Sequence, residues 1–166
     1  MRVEDDVEPA TMPTEIERKF LVRSHAWKSG KGTRLAQGYL SREPGRTVRV
    51  RVAEDHAYLT IKGRMVGISR PEFEYEIPVA DAEQLLRLCD GLVVEKTRFL
   101  VTHAGTTWEV DEFHGANTGL VVAEVELDTE DEIFERPPWL GEEVTSDLRY
   151  TNSALASRPF TQWALA

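Results

Sequence analysis

Apolar and polar residues alternate along most of this chain, and the alternation predicts strands. Eight segments have period 2: residues 14–22 (TEIERKFLV), 34–41 (RLAQGYLS), 46–54 (RTVRVRVAE), 57–64 (AYLTIKGR), 70–78 (RPEFEYEIP), 93–103 (VVEKTRFLVTH), 106–114 (TTWEVDEFH) and 120–128 (LVVAEVELD). They are rich in Val, Thr, Tyr and Phe, which suit a pleated surface. Turn residues separate them, as in EPG at 43–45, EDH at 54–56, GI at 67–68 and HAG at 103–105, so neighbours are expected to pair as antiparallel hairpins. Three stretches read as helix. Residues 80–89 (ADAEQLLRLC) gather Leu85, Leu88 and Cys89 on one face, with Asp81 and Gln84 spaced as a capping box. Residues 129–135 (TEDEIFE) repeat the device with Thr129 and Glu132, and 146–157 (SDLRYTNSALAS) set Leu148, Asn152 and Leu155 about a turn apart. The intervening ERPPWLGEE reads as a loop.

Residues 1–12 carry Glu4, Asp5, Asp6 and Glu8 with little that is apolar, and are expected to be a disordered acidic extension, with Met12 a candidate natural start. Residues 13–166 form one domain, long enough to bury a core without disulfides, and the single Cys89 makes no internal bridge. The chain has no run of the ~18 apolar residues a membrane helix needs, and its start is acidic where a signal peptide is basic, so a cytoplasmic location is expected. With 29 acidic against 20 basic residues the net charge is −9, which argues against a broad grip on nucleic acid or an anionic membrane. His25, His56, His103 and His114 lack the spacing of a zinc site, and no GxSxG, GxxxxGK or GxGxxG is present.

The polar faces of the strands are sorted by sign. Glu15, Glu17 and Lys19 share one face of the first, Arg49 and Arg51 of the third, and Thr60 and Lys62 of the fourth; Glu72, Glu74 and Glu76 align on the fifth. Lys96 and Arg98, Glu109 and Asp111, and Glu124 and Glu126 do the same on the last three. Side chains two apart on a strand sit roughly 6 to 7 Å apart on one face, so like charges repel unless something of opposite sign lies between them. Paired carboxylates suit a hard divalent cation such as Mg2+, and paired Arg and Lys suit phosphate oxygens. If these faces turn inward, the strands close into an inverted barrel with a charged lumen and apolar outer faces under a few helices and loops. The fold class is then mainly β, α+β in its helices.

Glu15-Ile-Glu17-Arg-Lys19 resembles the ExExK signature that opens the CYTH domains, the triphosphate tunnel metalloenzymes. The resemblance continues through QGYL at 37–40, RVR at 49–51, TIKG at 60–63, RPEFEYEIP, VEKTR at 94–98, WEVDEF at 108–113, AEVEL at 123–127 and PPWLGEEVTSD at 137–147. It implies an eight-stranded antiparallel tunnel that binds a linear triphosphate with Mg2+ or Mn2+, and it is strongest to the small bacterial inorganic tripolyphosphatases. The implied metal ligands are Glu15, Glu17, Glu124 and Glu126, with Asp111 a further contributor. Arg49, Arg51, Lys62, Lys96 and Arg98 correspond to the phosphate clamp, with Lys19 near the reacting end, and Glu72 and Glu74 support it. Tyr39 matches a tyrosine that some small members set beside the ExExK lysine. It either handles a proton there or is a packed aromatic. Glu76, nearest a strand end, reads as structural.

The expected activity is hydrolysis of inorganic tripolyphosphate to diphosphate and phosphate. Competing readings are a thiamine triphosphatase, a nucleoside triphosphatase or an adenylate cyclase on the same fold, and a non-catalytic polyphosphate- or nucleotide-binding module. No further aromatic or polar set on the lumen faces selects adenine or thiamine. A homodimer is a further expectation. Nine acids against six bases leave the sorted faces net negative, so triphosphate is expected to bind poorly without metal.

Overall fold

Each of the eight alternating segments forms a strand, and together they close on themselves. The computed structural model describes residues 12–165, so the expected disorder over residues 1–12 lies, Met12 apart, outside the described residues. In chain order the elements are β1 (Thr14–Val22), β2 (Thr33–Glu43), β3 (Arg46–Ala53), β4 (His56–Gly63), β5 (Ser69–Ile77), α1 (Val79–Arg87), β6 (Asp90–His103), β7 (Thr106–Phe113), β8 (Val121–Glu126), β9 (Leu140–Glu143) and α2 (Asn152–Ser157). The strand order β5-β4-β3-β2-β6-β7-β8-β1 returns from β1 to β5, which makes a closed antiparallel barrel. Several hairpins are as tight as the turn residues predict. His103 pairs with Thr106, leaving Ala104 and Gly105 at φ of 48° and 78°, the left-handed geometry of a two-residue hairpin turn.

Closure depends on β1. One edge of it pairs with β8 from Glu17 to Leu21, and its other edge is shared. Thr14, Glu15 and Ile16 pair with Pro71, Arg70 and Ser69 of β5, whereas Phe20 and Val22 pair with Glu143 and Leu140 of β9. β9 lies in the segment expected to be a loop. Its four residues are too few to display a period, and the strand exists because the free edge of β1 supplies its partner. Between the two pairings the Lys19 backbone is satisfied from elsewhere: its N–H donates to Thr145 Oγ1 (3.0 Å), and its carbonyl accepts from the Val144 N–H (2.8 Å).

Two of the three expected helices hold in altered form and one does not. α1 starts at Val79 with Pro78 as its N-cap, so Asp81 falls in the first turn and the Asp81–Gln84 capping box does not form. Residues 129–135 make a single turn, in which Asp128 N–H donates to Glu132 Oε2 (2.8 Å), and no helix follows. The chain must reach Pro137–Pro138, and the residue before a proline is held extended. Residues 146–157 divide into a 3-10 turn at Leu148–Tyr150 and α2, which Thr151 caps by accepting from the Ala154 N–H (3.3 Å).

The main core lies outside the barrel. Phe20, Trp108, Val110, Ala123 and Val125 face outward from β1, β7 and β8 and pack under Trp27, Trp139 and Phe134, with the Trp108 ring edge-on to Phe20, Phe134 and Trp139. A second outer cluster sets Ala82, Leu85 and Leu86 of α1 on Val50, Val52 and Leu59. Gly38 allows the close approach of α1's C-terminal end, since a Cβ there would meet Cys89 Sγ at 2.8 Å. The third cluster departs from the expectation of a wholly charged interior. Leu21, Tyr39, Val94, Phe113 and Val122, which share strand faces with the lumen charges, form an apolar floor under Leu155 and Ala156 of α2. Among the described residues no helix is long and apolar enough to cross a membrane.

Trp108→Ala removes the centre of the outer cluster and is expected to destabilise the chain by about 3–5 kcal/mol, read from the urea-unfolding midpoint.

Candidate active site

The period-2 geometry that builds the barrel turns the sorted charges into one cavity of about 640 Å³. Seven carboxylates line it (Glu15, Glu17, Glu72, Glu74, Glu109, Glu124 and Glu126) against six cations (Lys19, Arg49, Arg51, Lys62, Arg70 and Arg98). Tyr39 is also on its wall. The segment Thr145–Ser153 contributes Thr145, Ser146, Leu148, Thr151, Asn152 and Ser153 to the same wall.

Most of these charges are cross-paired between strands. Lys62 Nζ donates to both Glu15 oxygens (2.9 and 2.8 Å) and lies 3.1 Å from Glu72, and Arg70 Nε reaches Glu15 Oε2 at 3.1 Å. Burial raises the Glu15 pKa, but Lys62 and Arg70 outweigh it and hold the group at about 2. Lys19 lies 3.2 Å from Glu124. Burial works against both charges of that pair; Glu124 and Glu17 nevertheless raise Lys19, and Lys19, Lys96 and Arg98 keep Glu124 well below the usual range. Arg49 is 3.5 Å from Glu74, and Thr60 Oγ1 accepts from Arg49 (3.1 Å) and donates to Glu74 (2.9 Å). Arg98 binds Glu109 at 2.6 Å.

Three groups are left over. Glu17 pairs in register with Glu126 on β8, and its nearest cation is Lys19 at 4.0 Å. Burial, with Glu124 and Glu15 beside it, pushes the Glu17 pKa up to about 8. Glu126 is raised too, by partial burial and by Glu109, Glu15 and Glu72, and among the described residues has no cation within 4.0 Å. On the other side of the barrel, Arg51 has no carboxylate within that distance among the described residues. Burial and the neighbouring Arg49 and Arg98 lower it to about 10.

Two sequence-predicted residues are not on the cavity wall. Lys96 and Asp111 are fully buried behind it, 2.7 Å apart; Asp111 also accepts both Arg98 donors at 2.8 Å, and Lys96 donates to Asn152 Oδ1 at 2.9 Å. Burial raises Asp111, but Lys96 and Arg98 hold it at about 2, while burial takes Lys96 down to about 7 against the pull of Asp111. Asp111 is therefore spent on two cations, which leaves it no free oxygen edge for a metal, and Lys96 reaches the lumen only through its neighbours. Glu76 is exposed at the strand end, 2.8 Å from His56 Nδ1.

Other members of the site were not anticipated. Arg70 shares the face of Glu72 and Glu74 and was legible by that parity; Gln37 shares the face of Tyr39, and its Oε1 accepts from Arg51 Nε at 2.9 Å. Tyr58, Leu35, Ala53 and Leu100 also reach the wall, so the lumen is less bare of apolar surface than expected. Among the described residues no three His, Cys, Asp or Glu side chains converge as a ready chelate, because Glu15 and Glu124 are drawn to lysines.

Asp111→Asn is expected to cost about 3–5 kcal/mol at pH 7, since it leaves Lys96 buried without its counter-charge and Arg98 with Glu109 alone. Because the folded pKa of about 2 lies below the ordinary 3.8, the stabilisation is complete above pH 4 and is lost as pH falls through 2. Urea unfolding of both proteins across that range checks it.

A family profile for the CYTH domain matches residues 13–159. An inorganic triphosphatase of Acetivibrio thermocellus is 51% identical over 151 residues, covering 90% of this chain and 97% of that protein. An inorganic triphosphatase of Nitrosomonas europaea is 40% identical over 148 residues, covering 86% and 97%. Among solved structures, the crystal structure of an inorganic triphosphatase superposes with a TM-score of 0.64 at 40% identity, over 87% of this chain and 99% of that one.

Proposed function

The chain belongs to the CYTH domain family, and from that premise we propose that its lumen binds inorganic triphosphate with a divalent metal ion and hydrolyses it to diphosphate and phosphate. One observation carries this reading: uncompensated charge is divided between opposite walls. Among the described residues, Arg51 on β3 lacks a carboxylate, and Glu17 and Glu126 on β1 and β8 lack a close cation; β3 and β8 stand four places apart in the ring of eight. A polyanion carrying a metal ion meets both needs, and neither a simple anion nor an apolar ligand does.

The donors on the acidic wall are carboxylate oxygens, which fit a hard cation. Mg2+ is commonly held by one or two carboxylates together with substrate phosphates, so the absence of a three-carboxylate chelate is compatible with it. Glu17 and Glu126, joined by Glu15 and Glu124 as Lys62 and Lys19 release them, would hold Mg2+ or Mn2+. Bound there, the ion would neutralise charge on the phosphate oxygens and so open the phosphorus to attack by water. Arg51, Arg49, Lys62 and Arg98 hold the remaining oxygens, and Lys19 stands beside the acidic group. Tyr39 lines the same cavity as Lys19 and Arg51 and pairs in register with Arg49, which supports its role at the reacting end. Water takes the terminal phosphoryl group and diphosphate leaves, so no phosphoenzyme is required. A cytoplasmic location fits this substrate.

A second reading has an observation of its own. Tyr58 pairs in register with Arg51, and Leu35, Ala53 and Leu100 also line the cavity, apolar surface that suits the organic end of a nucleoside or thiamine triphosphate.

Purified protein is expected to release phosphate from inorganic triphosphate with Mg2+ or Mn2+ and to stop on adding EDTA, measured by malachite green beside ATP and thiamine triphosphate. A protein shown folded by circular dichroism that leaves triphosphate intact with either metal would refute the hydrolase reading. Arg51→Ala is expected to lower kcat/KM about 100-fold, the loss of two charge-assisted hydrogen bonds, and Glu124→Gln to abolish turnover in a folded barrel.

A further inference from the structure

Among the described residues six cations line the cavity, and five of them have a described carboxylate within 4.0 Å. Arg51 is the exception. Its protein partner is the amide of Gln37, the residue directly opposite it in the β2–β3 register, whose Oε1 accepts from Arg51 Nε at 2.9 Å. Gln37 is wholly buried, and its own Nε2 finds no acceptor. A buried amide donor without a partner is a cost, and a native site that bears one needs a reason for it. Glutamate has the same length, would accept the same bond, and would leave no orphaned donor. It would also neutralise the guanidinium.

We propose that Gln37 is a positioning residue: a neutral acceptor that anchors the Arg51 guanidinium by Nε and leaves its charge and its four Nη N–H donors to the phosphate chain. The role rests on the triphosphate reading and extends it. Guanidinium Nε–H occupies one edge of a planar fork, so fixing that edge restricts rotation of the plane that meets the phosphate oxygens. A neighbouring carboxylate would hold the plane as well but compete with the substrate for the charge. At this one position, restraint without neutralisation requires an uncharged oxygen acceptor.

Two substitutions separate this role from a merely structural one. Gln37→Met removes the anchor and keeps the charge of Arg51; Gln37→Glu keeps the anchor and removes the charge. For the full chain with Mg2+, the expected order of KM for inorganic triphosphate is wild type, then Gln37→Met at about 3- to 10-fold higher, then Gln37→Glu at about 10- to 100-fold higher. In each case kcat is expected to stay within about 3-fold. Thermal denaturation is expected to run the other way, with Gln37→Glu at or above the wild-type Tm, because an ion pair replaces an unsatisfied donor. If Gln37 served only to complete a hydrogen bond, Gln37→Glu would bind as well as wild type and Gln37→Met would be the weaker. That order overturns the proposal, as does a KM within 2-fold of wild type in both variants. Should Gln37→Glu not fold, Gln37→Met decides alone, an unchanged KM being the refuting result. Titration calorimetry with triphosphate measures the same order without turnover. Failure of wild-type hydrolysis would thus count against the hydrolase reading, and the Gln37 ranking would stand or fall by affinity.

Discussion

The barrel closes on three residue pairs between β1 and β5, and the charge network on Glu15 spans that narrow seam. Glu15 sits on β1, Lys62 on β4 and Arg70 on β5, so one carboxylate links three strands across the point where the sheet meets itself. A sheet with a charged inner face can close only if like charges on each strand face opposite charges on another, since an uncompensated buried ion costs several kcal/mol. The strand order meets this requirement at two junctions, whereas β7, β8 and β1 set Glu109 opposite Glu124 and Glu17 opposite Glu126. Acidic β5 flanks β4 with Lys62, and acidic β7 flanks β6 with Arg98. The register then brings Lys62 opposite Glu72 and Arg98 opposite Asp111.

Functional capacity follows from where this pairing is left incomplete. Charges fully matched inside the protein, such as Lys96 with Asp111, contribute to holding the wall in shape and have little left to offer a ligand. Charges matched imperfectly, such as Arg51, Glu17 and Glu126, are the ones a substrate and its metal can complete. Counting ionisable residues on the lumen faces therefore overstates the site. Subtracting those already committed to one another leaves a small set, arranged by sign on opposite walls.

Much of the fold was legible because period 2 is a strong signal when both faces of a strand have distinct jobs. The outer face supplies Val, Trp and Phe to the core, the inner face supplies charge, and seven of the eight segments announced themselves by both, the inner face of β2 being neutral. What was missed lacks a period. β9 is four residues long and borrows its partner from β1. The 129–135 turn carries helix-like spacing that the following prolines override. In the site, sign-sorting drew attention to charged positions and away from neutral ones, so Gln37, Tyr58 and the apolar floor went unread although each shares a face with a residue that was named. Asp111 was read as available because spacing shows which face a carboxylate is on, and only three-dimensional contact shows what already holds it.

The shared edge of β1 also fixes the order in which the molecule can be made. Its partners lie near residue 70 on β5, beyond residue 120 on β8 and at 140–143 on β9, so β1 precedes every one of them in the chain and waits for the last to complete its pairing. Until residue 143 has emerged, part of the β1 edge lacks its partner, the condition under which nascent chains associate with one another. Its run of Glu15, Glu17, Arg18 and Lys19 keeps that waiting strand hydrated, so the residues that equip the finished lumen also protect the chain during synthesis.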